Sequence, residues 1–482
     1  MYLNQLKNVI NSNLSNTGDF TFDKNDTLVN TGSVLHIWGT IGQITHLDVF
    51  QTYILMTFLT GIFTFLCMYS FIKLISINAR ISLLTTILIY LIVIKDSIGR
   101  PSPTQLTLWV VFILITLIYQ QTTMYKKSSF LLSLILYLIL ILSNPFYAIF
   151  IFMYFTFMLV QSYKNISPAV VMNYFFILLI SLIYYFNLDS SVTYSEMLTR
   201  FGVLKDRFPG ALNLTFVLFV LSIILIALIL KKKDANYKFL FVLVISCLFA
   251  LNSQMFTGVF FEAESHFSYL VKTVIALSLV YLLNLSQIYL LHPNLCVVIF
   301  IFIALSLLYS ITAKNVDIVE YTSKEKKLVL ALQNQKYSGT IFLIKGVKNY
   351  DLLDYIPLYT DVKPFWSSVK YSDLISDQEL LRRFACTLES DYSFKSFLKD
   401  YRIIFAHKYI NESQRYPRWD WFQSITGGDK FSTINSRIEK SKAQDYVYLL
   451  NYSKKFCSPK TFEYEVDYIL SDQLKIIKVS DK

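Results

Sequence analysis

The chain has 482 residues, of which 54% are hydrophobic and only 16% charged, with 40 Phe and 34 Tyr. That composition excludes an ordinary soluble protein and places the chain among membrane proteins. The formal charge of +11 divides into about +6 before Lys314 and +5 from it onward, so it marks no nucleic-acid patch and no nucleic-acid partner is expected.

Met1 to Asp48 is polar and rich in Asn and Asp, with no apolar core after a basic start, so it does not read as a removable signal peptide. Within it, TGSVLHIWGTIGQITHLD is half apolar and too polar to cross a bilayer, which fits an interfacial helix or a re-entrant element. Stretches of about 20 mostly apolar residues, enough to cross a hydrocarbon core of roughly 30 Å, then recur from Val49 to Ala313. The expected spans, about ten, lie near residues 50–75, 79–95, 105–124, 128–143, 145–162, 168–188, 211–231, 237–252, 267–291 and 294–313. The second and fourth are short, so one pair fits a bent or broken helix as well as two full crossings.

Lys and Arg separate the connecting loops into two sets. One holds Lys73, Arg80, Lys126, Lys127, Lys164, Lys231, Lys232, Lys233 and Lys238 with the single acid Asp234. The other mixes Lys95, Arg100, Arg200, Lys205 and Arg207 with Asp96, Asp189, Glu196, Asp206, Glu262 and Glu264. Cytoplasmic loops carry the basic excess, so the first set is expected inside and the second outside, with both ends of the chain on the outer face. An outer N-terminus without a signal peptide has two readings: a hydrophobic segment upstream of Met1, or a polar tail short enough to cross unaided.

At Lys314 the composition changes, and no later run is long enough to span a bilayer. The tail reads as a small α/β domain of outer-face location. Thr340–Ile344 reads as a buried strand. Ser376 with Glu379 makes a capping box ahead of Leu380, Leu381, Phe384, Ala385 and Leu388 on one helical face. Further strands are expected at Arg402–Ala406 and Tyr446–Asn451, and Val466–Leu470 with Leu474–Val479 flank a closing hairpin. The tail has no GxGxxG, P-loop or nucleophile elbow.

Between two apolar runs sits the polar and acidic island Asn252–His266, NSQMFTGVFFEAESH. Polar groups at membrane depth are costly unless they face a wet cavity or are buried in protein, which makes Asn252, Gln254, Thr257, Glu262, Glu264 and His266 candidate site residues. The bland alternative is an interfacial charge cluster at the head of a span. Lys272, one and a half turns into that span, either joins the site or snorkels to the surface. Arg100, held by Pro101 and Pro103 in KDSIGRPSP, offers a guanidinium fork suited to phosphate or to a lipid headgroup. Lys205 and Arg207, with Arg200, form a second outer basic cluster in the long loop from Asp189 to Gly210. His36 and His46 read as ordinary polar residues. The five cysteines, Cys67, Cys247, Cys296, Cys386 and Cys457, and the five histidines show no metal-ligand spacing, so no cofactor is assigned and a divalent metal has no ligand motif to hold it.

The island's NSQMFTG followed by acids and His266 is similar to the Asn-x-Gln-x-x-Thr-Gly…His pattern of bacterial multi-spanning proteins with a GT-C-like fold. LLDYIPLYTDVKPFW, at residues 352–366, followed by the helix with Glu379 and Arg383, looks like the soluble segment that accompanies them. The chain thus resembles the GT-C superfamily of membrane glycosyltransferases over most of its length. The resemblance implies a polytopic helix bundle with a polyprenyl-phosphate-linked sugar donor in membrane lipid, and an inverting displacement at the anomeric carbon. It also implies an Asp base early in the first outer loop. Here that Asp would lie upstream of Met1, with Asp19, Asp23 and Asp26 as substitutes and Glu264 and His266 as the other candidate proton-transfer groups. Arg100, Lys205, Arg207 and Lys272 would stabilise the departing phosphate. The rival readings are a non-catalytic transporter or flippase for a lipid-linked glycan, and a polysaccharide polymerase or ligase.

Overall fold

The computed structural model describes residues 33–75, 79–94, 106–124, 129–186, 204–205, 212–232, 234–257, 259–260, 263–282, 338–343, 361–364, 366, 376–388, 392–405, 431–457, 468–470 and 476–478. The described chain is mainly helical. Helix α1, Ser33–Thr45, ends in a Schellman motif: Leu47 N–H donates to the Gly42 carbonyl at 3.0 Å and His46 N–H to that of Gln43 at 3.2 Å. His46 occupies the left-handed position this stop requires, at φ 55°. Two residues later Asp48 starts the next helix, α2 (Val49–Lys73), with a full capping box. Its carboxylate accepts from Phe50 and Gln51 N–H at 2.8 Å each, and the Gln51 side chain accepts from Asp48 N–H at 3.1 Å. A helix stop and a helix start therefore share three residues.

The next apolar segments follow in order: α3 (Ala79–Ile94), α4 (Leu108–Met124), α5 (Phe130–Ser143), α6 (Pro145–Gln161), α7 (Pro168–Phe186), α8 (Leu212–Lys232) and α9 (Ala235–Leu251). The short helix α10, Gln254–Thr257, leads to α11, Ala263–Leu282. With α2, these longer helices occupy nine of the ten expected spans; the tenth, 294–313, lies outside the described residues. Helices α5 and α6 meet without a loop at Asn144, whose side chain accepts from Tyr147 N–H at 3.3 Å while Pro145 opens α6. At about 21 Å, α5 is shorter than a bilayer core. Among the described residues two helices, Val49–Lys73 and Asn213–Lys232, are long and apolar enough to cross a membrane.

Packing is centred on α9, which contacts α6, α8 and α11. Its Phe239 is edge-on to Tyr119 at 4.7 Å and close to Phe71 and Tyr154, and Phe71 stacks on Phe112 at 5.5 Å. Small residues let neighbours approach: a methyl group on Gly61 of α2 would stand 3.1 Å from the Tyr90 hydroxyl of α3, which donates to the Gly61 carbonyl. The bundle's exterior is apolar like its core, and a few polar side chains are buried among the apolar ones. Thr52, Thr64, Ser82, Gln121, Ser133, Asn173 and Ser246 are buried, whereas Ile54, Phe58, Leu131, Phe175, Phe216 and Leu230 are exposed. Buried hydroxyls such as those of Thr86, Ser246 and Thr273 donate back to the carbonyl four residues earlier. Between helices, Asn173 Nδ2 of α7 donates to Gln121 Oε1 of α4 at 2.7 Å and to Ser133 Oγ of α5 at 2.9 Å. Such a surface is at home in lipid, and with the two long helices it marks membrane association.

After the bundle, a four-stranded sheet has the order β4–β3–β5–β6. It is built from β3 (Ser338–Leu343), β4 (Asp361–Pro364), β5 (Tyr468–Leu470) and β6 (Ile476–Lys478). β3 is parallel to β4 and β5, and β5 with β6 forms the expected antiparallel closing pair. Three helices belong to the same region: α12 (Asp377–Ala385), α13 (Phe394–Phe405) and α14 (Phe431–Phe456). Ser376 caps α12 by accepting from Glu379 N–H, and the predicted face of Leu380, Leu381, Phe384, Ala385 and Leu388 is buried, with Trp366 packed on Phe384 at 4.9 Å. Arg383, nearly fully buried, donates to Glu379 at 3.0 Å. Arg382 donates to the Tyr448 hydroxyl of α14, a bond that raises its pKa further above the ordinary guanidinium range. A disulfide, Cys386–Cys457, joins the ends of α12 and α14.

Two expected strands are helical instead. Arg402–Phe405 closes α13, where the buried Phe397, Tyr401, Ile404 and Phe405 recur at three- and four-residue intervals. Tyr446–Asn451 lies inside the 26-residue α14. An apolar run of five or six residues cannot distinguish a buried strand from one stretch of a longer amphipathic helix. The cysteines, uninformative as a sequence pattern, also proved to include a bonded pair.

Candidate functional site

The island begins where α9 ends. Asn252 is the C-cap residue and is 5% exposed; its Nδ2 donates to the Leu248 carbonyl at 2.8 Å and to Thr215 Oγ1 of α8 at 3.2 Å. The side chain read as a substrate contact is thus occupied in fastening α8 to α9. Ser253, also buried, continues the turn into α10. Gln254 and Thr257 are the first and last residues of α10. Strand β2, Val259–Phe260, follows, and α11 then opens at Ala263 with Glu264 and His266 in its first turn. The backbone therefore gathers Asn252, Gln254, Thr257, Glu264 and His266 within one connection between two bundle helices.

A pairing across a long stretch of sequence brings the second basic loop to the same place. Strand β1, Leu204–Lys205, pairs antiparallel with β2, setting Leu204 opposite Phe260 and Lys205 opposite Val259. The sequence carried no sign of this contact, because two-residue strands have no periodicity to read. Lys272 is placed differently: it is exposed on α11 between the buried Val271 and Thr273, an arrangement that matches a snorkelling lysine. Arg100, Arg207, Glu262, Asp19 and Asp23 lie outside the described residues. His46 is committed to the stop of α1 rather than to chemistry.

Beside the island lies a groove of about 460 Å³. Its walls are Thr215, Phe216 and Phe219 of α8 with Leu248 and Phe249 of α9, and Asn252, Met255 and Phe256 close one end. Phe256 of α10 stacks on Phe249 with centroids 5.4 Å apart and planes 7° from parallel, while Phe157 of α6 backs Phe249 at 5.3 Å. Phe216 and Phe256 are 67% and 65% exposed, so the groove is open along its side. An aromatic channel that opens sideways and ends against a polar turn can hold a long apolar chain whose headgroup rests at the island. Among the described residues no group of three or more His, Cys, Asp or Glu is gathered that could hold a metal ion.

No protein-family model matches the chain, and no curated protein matches it in sequence.

Proposed function

We propose that the chain is a membrane glycosyltransferase of GT-C type. It transfers a sugar from a polyprenyl-phosphate-linked donor to an acceptor on the outer face, with about ten spans and a small α/β domain after them. The observation that carries the reading is the β1–β2 pairing, which sets Lys205 opposite Val259 in the island whose first residues, from Asn252 to Phe256, close one end of an aromatic groove. The isoprenoid lies in the groove, and the phosphate meets the basic loop together with Arg100. The acceptor hydroxyl forms the new bond to the anomeric carbon as the bond from that carbon to the phosphate oxygen breaks. The acceptor proton passes to a carboxylate or imidazole, for which Glu264 and His266, in the first turn of α11, are the island's candidates and Asp19 and Asp23 the first-loop alternatives. Polyprenyl phosphate leaves with the bonding electrons.

The Cys386–Cys457 bridge supports an outer location for the tail, because disulfides persist in oxidising compartments. The test is transfer from a radiolabelled polyprenyl-phosphate sugar by the reconstituted chain, compared with variants Lys205→Ala/Arg207→Ala and Phe249→Ala. Loss of transfer in the first and a raised donor KM in the second are expected. Donor binding that survives both changes undiminished would remove the site from the groove, and transbilayer movement of the donor without transfer would establish the flippase reading instead.

A further inference from the structure

We propose that helix α13 docks the C-terminal helical unit onto an anionic phospholipid surface. The inference is independent of the sugar chemistry and needs only a membrane-associated chain. Helix α13 has a buried face with an exposed strip along one edge. Phe397, Tyr401, Ile404 and Phe405 are buried, with Phe397 packed on Tyr446 of α14 at 5.6 Å. Along the edge of that face Phe394 and Leu398, one turn apart, are 39% and 45% exposed, and Lys395 and Lys399, also one turn apart, are exposed beside them. The exposed stripe thus reads Phe-Lys…Leu-Lys along a helix that is pinned from behind. The Phe394 ring rests 5.2 Å from Tyr446, so its position at the edge of the buried face is fixed by packing on α14.

Among the described residues, two acids near this face are engaged elsewhere: Asp400 accepts from the Tyr392 hydroxyl at 2.9 Å and Asp445 from that of Tyr401 at 3.4 Å. Lysines interleaved with Phe and Leu are the composition of a helix that lies in a headgroup layer. The core of a protein–protein contact is instead depleted in Lys, which favours lipid as the occupant. Two apolar side chains and two lysines are a weak anchor for a free protein. Here the unit is covalently continuous with membrane-associated helices, so the surface is presented at high effective concentration and a weak anchor suffices.

The test uses the full chain reconstituted in vesicles of brominated phosphatidylglycerol, with Leu398→Trp as a reporter and the parent chain as the baseline for its own tryptophans. The expected result is additional quenching in the variant that weakens in vesicles of brominated phosphatidylcholine. Lys395→Gln with Lys399→Gln, made in the Leu398→Trp background, is expected to lower the docking equilibrium about 30-fold. Formation of the Cys386–Cys457 bridge, read by resistance to alkylation, checks that the unit has folded. If Leu398→Trp fails that check, Phe394→Trp takes its place. Quenching no greater than in the parent would overturn the proposal. Quenching that ignores both lipid charge and the lysine changes would do the same, because the contact would then need no anionic headgroup.

Discussion

Replacing Cys386 and Cys457 with Ser tests whether the tail is an oxidised, cross-linked unit. The half-cystines are 71 positions apart, and constraining a loop of that length in the unfolded chain stabilises the native state by about 4.4 kcal/mol on the chain-entropy account. Single domains are stable by roughly 5–15 kcal/mol, so the double variant is expected to lose about 30% or more of the tail's stability. With a urea dependence of about 2 kcal/mol per molar, the midpoint for the tail falls by about 2 M. Pulse proteolysis of the full chain in detergent, following fragments that contain α14, measures that midpoint without disturbing the bundle. The native chain without reductant should also resist a membrane-impermeant alkylating reagent at both positions, and react there after reduction. A midpoint shift equivalent to less than about 1 kcal/mol would refute the argument, since it would leave the three-helix packing alone holding Cys386 near Cys457.

Three smaller perturbations probe the bundle. Asn173→Leu removes the donors to Gln121 and Ser133 and leaves two buried acceptors without that partner; a loss of about 1–2 kcal/mol is expected in detergent-titrated unfolding. His46→Gly relieves the left-handed backbone at the stop of α1 and should stabilise by about 0.5–1 kcal/mol, whereas His46→Val should destabilise, both read as shifts in Tm. Gly61→Leu drives a side chain into the Tyr90 hydroxyl and should cost about 1–3 kcal/mol, with Tyr90→Phe restoring only a small part because the ring remains in place.

Long apolar runs were legible. Nine helices coincide with expected segments because a long apolar run satisfies its backbone polar groups within itself as a helix. The α12 face was legible too, since Ser376 and the spacing of Leu380, Phe384 and Leu388 act within a few residues of one another. What escaped was decided at a distance. Tyr446–Asn451 looks like a strand until the whole of α14 is in view, and the partner of Cys386 cannot be inferred from five scattered cysteines. In the site, the island itself was visible as a polar break between spans, but its join to Lys205 was not, because Leu204–Lys205 and Val259–Phe260 are two-residue pieces more than fifty positions apart. Asn252 was noticed for being polar; that its amide is consumed by Thr215 and Leu248 depended on how α8 lies against α9.

That amide has a mechanical consequence. Because Asn252 both ends α9 and grips Thr215 near the start of α8, the two walls of the aromatic groove are latched at the end nearest the island and cannot part there without breaking the latch. The freedom to widen belongs instead to α10, four residues long, whose Phe256 leans on Phe249 through one stacked face. One end of the groove is therefore closed by a single ring on a short helix, while its side stays open between Phe216 and Phe256.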